Sequence, residues 1–463
     1  MTVTRELAGF AYQTRYEDLP APVIGEAKRL LLDALGCVVG GLKTRKGELG
    51  VRMARALGGA PVAILPGTAE KVSMLASAYG IGELMNALDY EALLSPPDHA
   101  TPYLLAAILA AADSEGVTGK ELVAATAVAH EMAIRVAAGL VFGKRFNVEL
   151  PHKGVTMGLP TPGYGLCIFG GTAAVGKLMG LSQEQIIHAM GIAGYHAPLP
   201  MLMKFCMNVP ASLPKYLSSG ILSQMEIIVA MAAQMGCTGD PEVLDGPYGF
   251  WRAFGCEGWR PEIVSQGLGE VWYFPERMFY KTFPCCGAMQ NGLCLFQEMM
   301  TGKYLEADEI TELHVKMNML AELPVWHAKE VVNHVDAQFN VPFVFSLVAN
   351  RVEVGPLWQS EETLRDPKII AFMNKVRVWT EVDATFSTRS DIEVVLGSES
   401  RKKIYEARGK AASEMDEGML LDKFFRNTRA ILGSDLSKKA SETILHLEAV
   451  EDVRELTAFF AVP

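Results

Sequence analysis

The chain has 463 residues, half of them hydrophobic and 21% charged, which supplies a full apolar core and excludes disordered and fibrous classes. With 42 Lys and Arg against 53 Asp and Glu the net charge is -11, so sequence-independent nucleic-acid binding is not expected. The eight cysteines form no C-x-x-C pair and only Cys285 and Cys286 adjoin, which predicts the buried thiols of a reducing, cytoplasmic compartment. No apolar core flanked by basic residues opens the chain, so no signal peptide is expected. The longest uninterrupted apolar stretch, residues 103–112, is too short to cross a membrane, and no membrane partner is predicted.

The first half has helical texture. Ala27, Leu30, Leu31, Ala34, Leu35 and Val38 recur at helical spacing and predict a helix over 22–42. Thr118 with Glu121 is a capping box that opens an apolar run to about Ala138, and Ser182 with Gln185 is a second box. Residues 211–235 predict one long helix, and Asp240-Pro241 a cap with proline at the first helical position. Near 265 the texture changes. Residues 271–274, 314–317, 376–379, 392–396 and 403–407 are β-branched, aromatic or alternating, and predict strands. Helical stretches near 287–300 and 337–349, and another after Asp366-Pro367, lie between them. From Met419 the pattern is helical again, with a turn at Gly433-Ser434-Asp435. The expected fold is mainly α: a large all-helical domain (1–264, completed by 411–463) with a smaller inserted α+β domain (265–410).

Several motifs are decoys. Residues 171–177 match G-x-x-x-x-G-K, but Leu178 stands where a phosphate loop needs Ser or Thr, and a packed helix explains the small residues as well. His130-Glu131 begins like a zinc-protease helix, but Ile134 stands where the second histidine belongs, so no metal is expected. Other polar residues interrupt apolar pattern. Asp89 and Glu91 end an apolar helix, and a proline-rich turn then leads to Asp98 and His99 at the mouth of the next helix. Lys215 and Lys281 are lone cations in apolar or aromatic surroundings, where a lysine either snorkels to solvent or is held for chemistry.

Together these segments resemble the MmgE/PrpD family, which includes 2-methylcitrate dehydratases, cis-aconitate decarboxylases and iminodisuccinate epimerases. The resemblance rests on Leu32-Asp33-Ala34-Leu35-Gly36, on Asp89 and Glu91 followed by His99, and on Gly236-Cys237-Thr238-Gly239 with Val243-Leu244-Asp245-Gly246 and Gly249-Phe250. It also rests on Lys281-Thr282-Phe283-Pro284-Cys285-Cys286 and Ala337-Gln338-Phe339-Asn340. It implies a homodimer of helical plus α+β domains that needs no organic cofactor. It also implies a polar pocket containing Asp89, His99, Lys215 and Lys281. Other positions depart from the family pattern. The family's histidine before its small-residue helix aligns with Thr161, and His152 is the candidate to compensate. Gln290 stands for a histidine, Phe343 for a tyrosine, Ser218 for a histidine and Glu91 for an aspartate. A pocket that has lost these imidazole and phenol groups is not expected to hold 2-methylcitrate or cis-aconitate in the family's way.

The implied chemistry is lysis of a small carboxylic acid, as a dehydratase or decarboxylase, by proton transfer at a carbon next to the carboxylate. In the expected arrangement Lys215 and Lys281 clamp the carboxylate and the developing charge, His99 carries the proton, and Asp89 fixes the imidazole tautomer. Thr161, His152, Gln290 and Phe343 complete the expected substrate wall. The same residues admit an epimerase or isomerase of a dicarboxylate, and the departures admit a catalytically degenerate binding protein. A hydrolase built on Cys285 or Ser218 is the remaining alternative.

Overall fold

Thr118 and Glu121 exchange the expected reciprocal bonds and open the helix Gly119–Gly139. In the computed structural model this helix is buried almost all round because it runs through the middle of the helical body. Among the described residues it alone is long and apolar enough to cross a membrane, and 94% of its apolar window is buried inside the protein. The structure describes residues 2–143, 148–150, 155–157, 163–198, 204–302, 305–380, 390–405 and 415–462.

Helices dominate, as expected. Ala21–Gly41 fills the place predicted for 22–42, and Gln183–His196 opens at the Ser182 box. The phosphate-loop decoy lies inside the buried helix Ile168–Leu178, where Lys177 Nζ donates to the carbonyls of Ala11 and Tyr12 at 3.0 Å. The chain returns after the sheet, and Glu417–Leu432 packs along Ala21–Gly41.

Three sequence expectations are corrected. Residues 211–235 are not one helix. The helix is Ser219–Gln234, and the preceding turn carries Lys215 at a left-handed φ of 56°. Ser218 caps it, and its hydroxyl also donates to Glu83, so the helical path cannot extend backward. Asp240-Pro241 opens no helix; the following turn brings Asp245 under the backbone N–H groups of Val3 and Thr4, where it caps the helix Val3–Gln13. Residues 271–274 form no strand. The N–H groups of Tyr273 and Phe274 donate to Glu131, and the paired Arg135 takes the carbonyls of Val264, Gln266, Gly267 and Val271. A buried ion pair thus consumes the polar groups that a sheet would have used.

The other predicted strands form one four-stranded sheet. Its order is Val376–Thr380, Glu312–Met317, Ser390–Leu396, Glu399–Tyr405; the first pair is parallel and the others antiparallel. Alternation in Glu312–Met317 turns Leu313, Val315 and Met317 inward. The helices Gln290–Gly302 and Val341–Ala349 pack against the sheet.

One core feature bears on stability. Glu226 is wholly buried on Ser219–Gln234, and neither carboxylate oxygen has a partner among the described residues; Thr172 Oγ1 and Ser223 Oγ are buried and unpartnered too. Burial holds its carboxyl well above the usual range, so the folded protein keeps it protonated. At neutral pH the unfolded chain ionises this glutamate freely, so keeping it buried and protonated costs stability there. Because the folded value is raised, the stability is full in acid and is lost as pH rises from the ordinary carboxylate range toward that value. Glu226→Gln should therefore unfold at higher urea than wild type at about pH 8 and at nearly the same urea at about pH 4. Equal midpoints at both pH values would mean that Glu226 is ionised and paired.

Candidate active site

The turn after the helix Met74–Met85 is fixed carbonyl by carbonyl. Ala87 O accepts from Gln338 Nε2 and Leu88 O from Gln359 Nε2. Asp89 O accepts from Lys281 Nζ and Tyr90 O from Lys423 Nζ. Asp33, ion-paired with Lys423 at 2.6 Å, accepts from Ala92 N. This is the work of the Leu32–Gly36 motif: its acid holds the site from behind. The clamping lets Asp89 keep a left-handed φ of 54°. Of the four non-glycine residues with such φ values among the described residues, Asp89, Asp98 and Lys215 lie at or beside this site, the usual location of retained backbone strain.

Asp89 stands at the centre. Its Oδ1 accepts from Lys215 Nζ at 2.7 Å and from the Tyr216 hydroxyl at 3.3 Å, and its Oδ2 accepts from Lys281 Nζ at 2.7 Å. All three charged side chains have no exposure. Burial opposes the charge on Asp89, but the two ammonium groups outweigh it and hold the carboxyl well below its usual range. The lysines differ. Burial brings Lys215 down to about 8 despite Asp89. Lys281 has two bonds to Asp89 and feels Glu91 as well, so its value rises in spite of burial.

His99 is 6% exposed, and Glu91, not Asp89, fixes its tautomer. Its Nδ1 lies 2.8 Å from Glu91 Oε1, which also accepts from Asn86 Nδ2, while its Nε2 is 4.0 Å from Asp89 Oδ1. The expected Asp89 role is corrected for a physical reason: two ammonium groups already occupy both Asp89 oxygens. Burial opposes charge on Glu91, but the His99 bond and Lys281 keep it ionised. Asn86 Oδ1 in turn accepts from Lys46, which is 3.4 Å from Glu83.

The site is not poor in phenols. Tyr164 and Tyr216 rings lie 5.7 and 5.1 Å from the His99 ring, and Tyr103 stacks on Tyr164 at 5.2 Å. Burial keeps all three hydroxyls protonated far above neutrality. Beside the Lys215 turn runs a groove of about 320 Å³, lined by Lys204, Phe205, Asn208, Pro210, Ser212 and Lys215.

Comparison with known families decides the assignment. A model of the MmgE/PrpD N-terminal domain matches residues 5–261, and one of the MmgE/PrpD C-terminal domain matches residues 283–449. The chain belongs to the MmgE/PrpD family. It is similar to the cis-aconitate decarboxylase of Aspergillus terreus, 22% identical over 490 residues that cover 100% of this chain and 96% of that one. The cis-aconitate decarboxylase of Homo sapiens is 23% identical over 499 residues, covering 100% and 95%. The cis-aconitate decarboxylase-like protein oryM of Aspergillus oryzae is 25% identical over 326 residues, covering 67% and 64%.

The departures from the MmgE/PrpD pattern now have addresses. Gln290 is corrected from substrate contact to brace: its amide accepts from the N–H groups of Thr282 and Phe283 and donates to the carbonyls of Phe283 and Cys285. It shapes the turn after Lys281 and has no donor left for a ligand. Phe343 is a core side chain at the start of Val341–Ala349. Ser218 is a helix cap, and the buried Cys285 thiol is pushed far up by burial, which leaves it a poor nucleophile. Thr161 and His152 lie outside the described residues. Sequence reasoning noted Glu91 as an acid at a helix end and as a substitution but gave it no role, and it passed over Lys46, Tyr164 and His334. For Tyr164 and His334 the signal was a polar or phenolic side chain three positions from a quoted residue; Lys46 had no such signal.

Donor atoms of Asp89, Glu91 and His99 lie within 4.8 Å of one another, close enough for a metal ion. Both Asp89 oxygens, however, already accept from ammonium groups, so a cation there would face two like charges at close range. The residue set fits an acid better than a metal.

Proposed function

We propose that this chain is a cofactor-independent lyase that removes CO₂ or water from a small carboxylic acid. The observation that carries the reading is the buried triad of Asp89, Lys215 and Lys281 with His99 Nε2 at 4.0 Å, its other nitrogen anchored on Glu91. Each ammonium has three N–H donors. Lys215 gives one to Asp89 and Lys281 gives two, which leaves donors for a substrate carboxylate and for charge that develops beside it. For decarboxylation the C–C bond breaks, its electron pair stays on carbon as a carboxylate-stabilised carbanion, CO₂ leaves, and protonated His99 delivers the proton from Nε2. For dehydration Nε2 takes the carbon-bound proton, the freed electron pair forms the C=C bond as the C–O bond breaks, and the imidazolium returns that proton to the departing hydroxide, which leaves as water. The curated relatives favour the first route. The same reading carries a homodimer, supported by the solvent-facing apolar stripe of Ile221, Ile228 and Met235, which are 52%, 44% and 79% exposed.

The test is product analysis. Purified protein is incubated with cis-aconitate and with smaller mono- and dicarboxylic acids, and CO₂ release and new C=C bonds are measured. No turnover and no binding of any acid would overturn the reading. For an acid that is turned over, the rate should fall as pH rises through about 8, where Lys215 loses its proton. Lys215→Arg, charged at every accessible pH, should remove that alkaline limb. A limb that stays in place in this variant would assign it to another group.

A further inference from the structure

The helix Arg45–Leu57 lies against Met74–Met85 and the end of Ala21–Gly41 through glycine. A Cβ on Gly50 would stand 2.7 Å from Glu83 Cβ, and one on Gly47 would stand 2.1 Å from the Gly41 carbonyl oxygen, so neither position admits a larger residue. This close approach buries Lys46, which is 3% exposed and 3.4 Å from Glu83. Lys46 stands in the first turn of its helix, where the helix dipole disfavours a cation. Its partners, and not its helix, hold it there, and the chemistry proposed above gives it no part.

Every link from Lys46 to the imidazole is a short contact between buried groups. Lys46 Nζ donates to Asn86 Oδ1 at 2.8 Å, Asn86 Nδ2 donates to Glu91 Oε1 at 2.7 Å, and the same Glu91 oxygen lies 2.8 Å from His99 Nδ1. On its other side Lys46 meets Glu83, which accepts from Ser218 Oγ and Gly220 N, so the same cation is tied to the segment that follows Lys215. An ammonium has only donors and an ionised carboxylate only acceptors, so Asn86 serves both with Oδ1 toward Lys46 and Nδ2 toward Glu91. Among the described residues no other group donates to Asn86 Oδ1. A cation on the amide oxygen draws electron density from the amide and makes its N–H groups stronger donors. A stronger bond from the amide satisfies Glu91 Oε1 further, and that oxygen then holds the His99 proton less firmly.

We infer that Lys46 is a positioning residue for the proton carrier: it anchors and polarises the Asn86 amide, which shares Glu91 Oε1 with His99 and so limits how firmly the imidazolium is held. The inference rests on the lyase reading only for the use made of the proton. A carrier held too firmly as imidazolium gives its proton up less readily, so the amide keeps His99 able both to take a proton and to return it. The other groups that face His99 are Asp89, with the ammonium groups of Lys215 and Lys281 on its oxygens, the adjoining Asp98, and the Tyr164 and Tyr216 rings. All of them remain when residue 46 or 86 is substituted.

The test is a nuclear magnetic resonance titration of the full chain labelled in its histidine rings, the His99 signal being the one missing from His99→Gln. Asn86→Leu, which removes the amide, should raise the His99 midpoint by about one pH unit, and Lys46→Met should raise it by a part of that. Adding Lys46→Met to Asn86→Leu should move it little further, because Lys46 acts through the amide. Circular dichroism checks that each variant is folded, and either single variant tests the link. A midpoint that stays or falls in a folded variant, or a double-variant shift equal to the two single shifts together, would overturn the inference and leave the lyase reading standing. Failure of both variants to fold would make the link a purely structural one and overturn it as well. For an acid that is turned over, Lys46→Met should change kcat and leave KM within about twofold, since Lys46 does not touch the acid. A raised KM at unchanged kcat would make Lys46 a binding residue and overturn the inference. If no acid is turned over the lyase reading falls, and the midpoints still decide the role of Lys46.

Discussion

Asp89→Asn is expected to destabilise the fold by about 3–5 kcal/mol, because it leaves two buried ammonium groups without their counter-charge. Urea unfolding would read this as a large fall in midpoint at unchanged slope. The pH dependence gives the sign. The folded-state value of Asp89 is depressed, so its contribution is complete above the unfolded value of about 4 and is lost as pH falls toward the folded value. The gap between wild type and variant should thus be constant at neutral pH and narrow only in strong acid. A second signature is coupling. Once Asp89 is neutral, Lys215→Met should cost much less than it does alone, or even recover stability, since it then removes an unpaired buried charge. Additive losses would mean that the pair is not the unit that matters.

His99→Gln should lower kcat by about 10²–10⁴ with a much smaller change in KM, since it removes the proton carrier and leaves the lysines that bind the acid. Glu91→Gln keeps a side-chain acceptor near Nδ1 but removes the charge that supports an imidazolium, so its loss should be smaller. If Glu91 acts on proton transfer through His99, the double variant should be no slower than His99→Gln alone, as residues that work as one unit are strongly non-additive. Multiplicative losses would give Glu91 an independent role. Wild-type kcat in His99→Gln would place the proton transfer on another residue.

Local order was readable from residues close together in the chain. Thr118 with Glu121 and Ser182 with Gln185 act within one helical turn, so their boxes appear where the spacing puts them. The β-branched and aromatic runs predicted as strands at 314–317, 376–379 and 392–396 lie inside strands. Expectations failed where a distant side chain competed for the same backbone. Glu131 and Arg135 captured 264–274, and Glu83 drew Ser218 into a cap that stops the helix short of Lys215. Propensity cannot foresee such capture, because it depends on which buried charge arrives at that spot.

The same division holds at the site. Composition and periodicity were enough to predict a mainly helical chain with an α+β part, and the ordered motifs carried the resemblance to the MmgE/PrpD family and singled out Asp89, His99, Lys215 and Lys281; that all four are buried came from the structure. Tertiary structure alone assigned partners: it set both lysines on Asp89, gave His99 to Glu91, turned Gln290 into a brace and set Lys46 on Asn86. A carboxylate takes the nearest strong donors. Lys215 and Lys281 lie 126 and 192 positions from Asp89, a nearness that follows from how helices pack, and even over the eight positions from Glu91 to His99 it is the fold of the intervening turn that makes the pair.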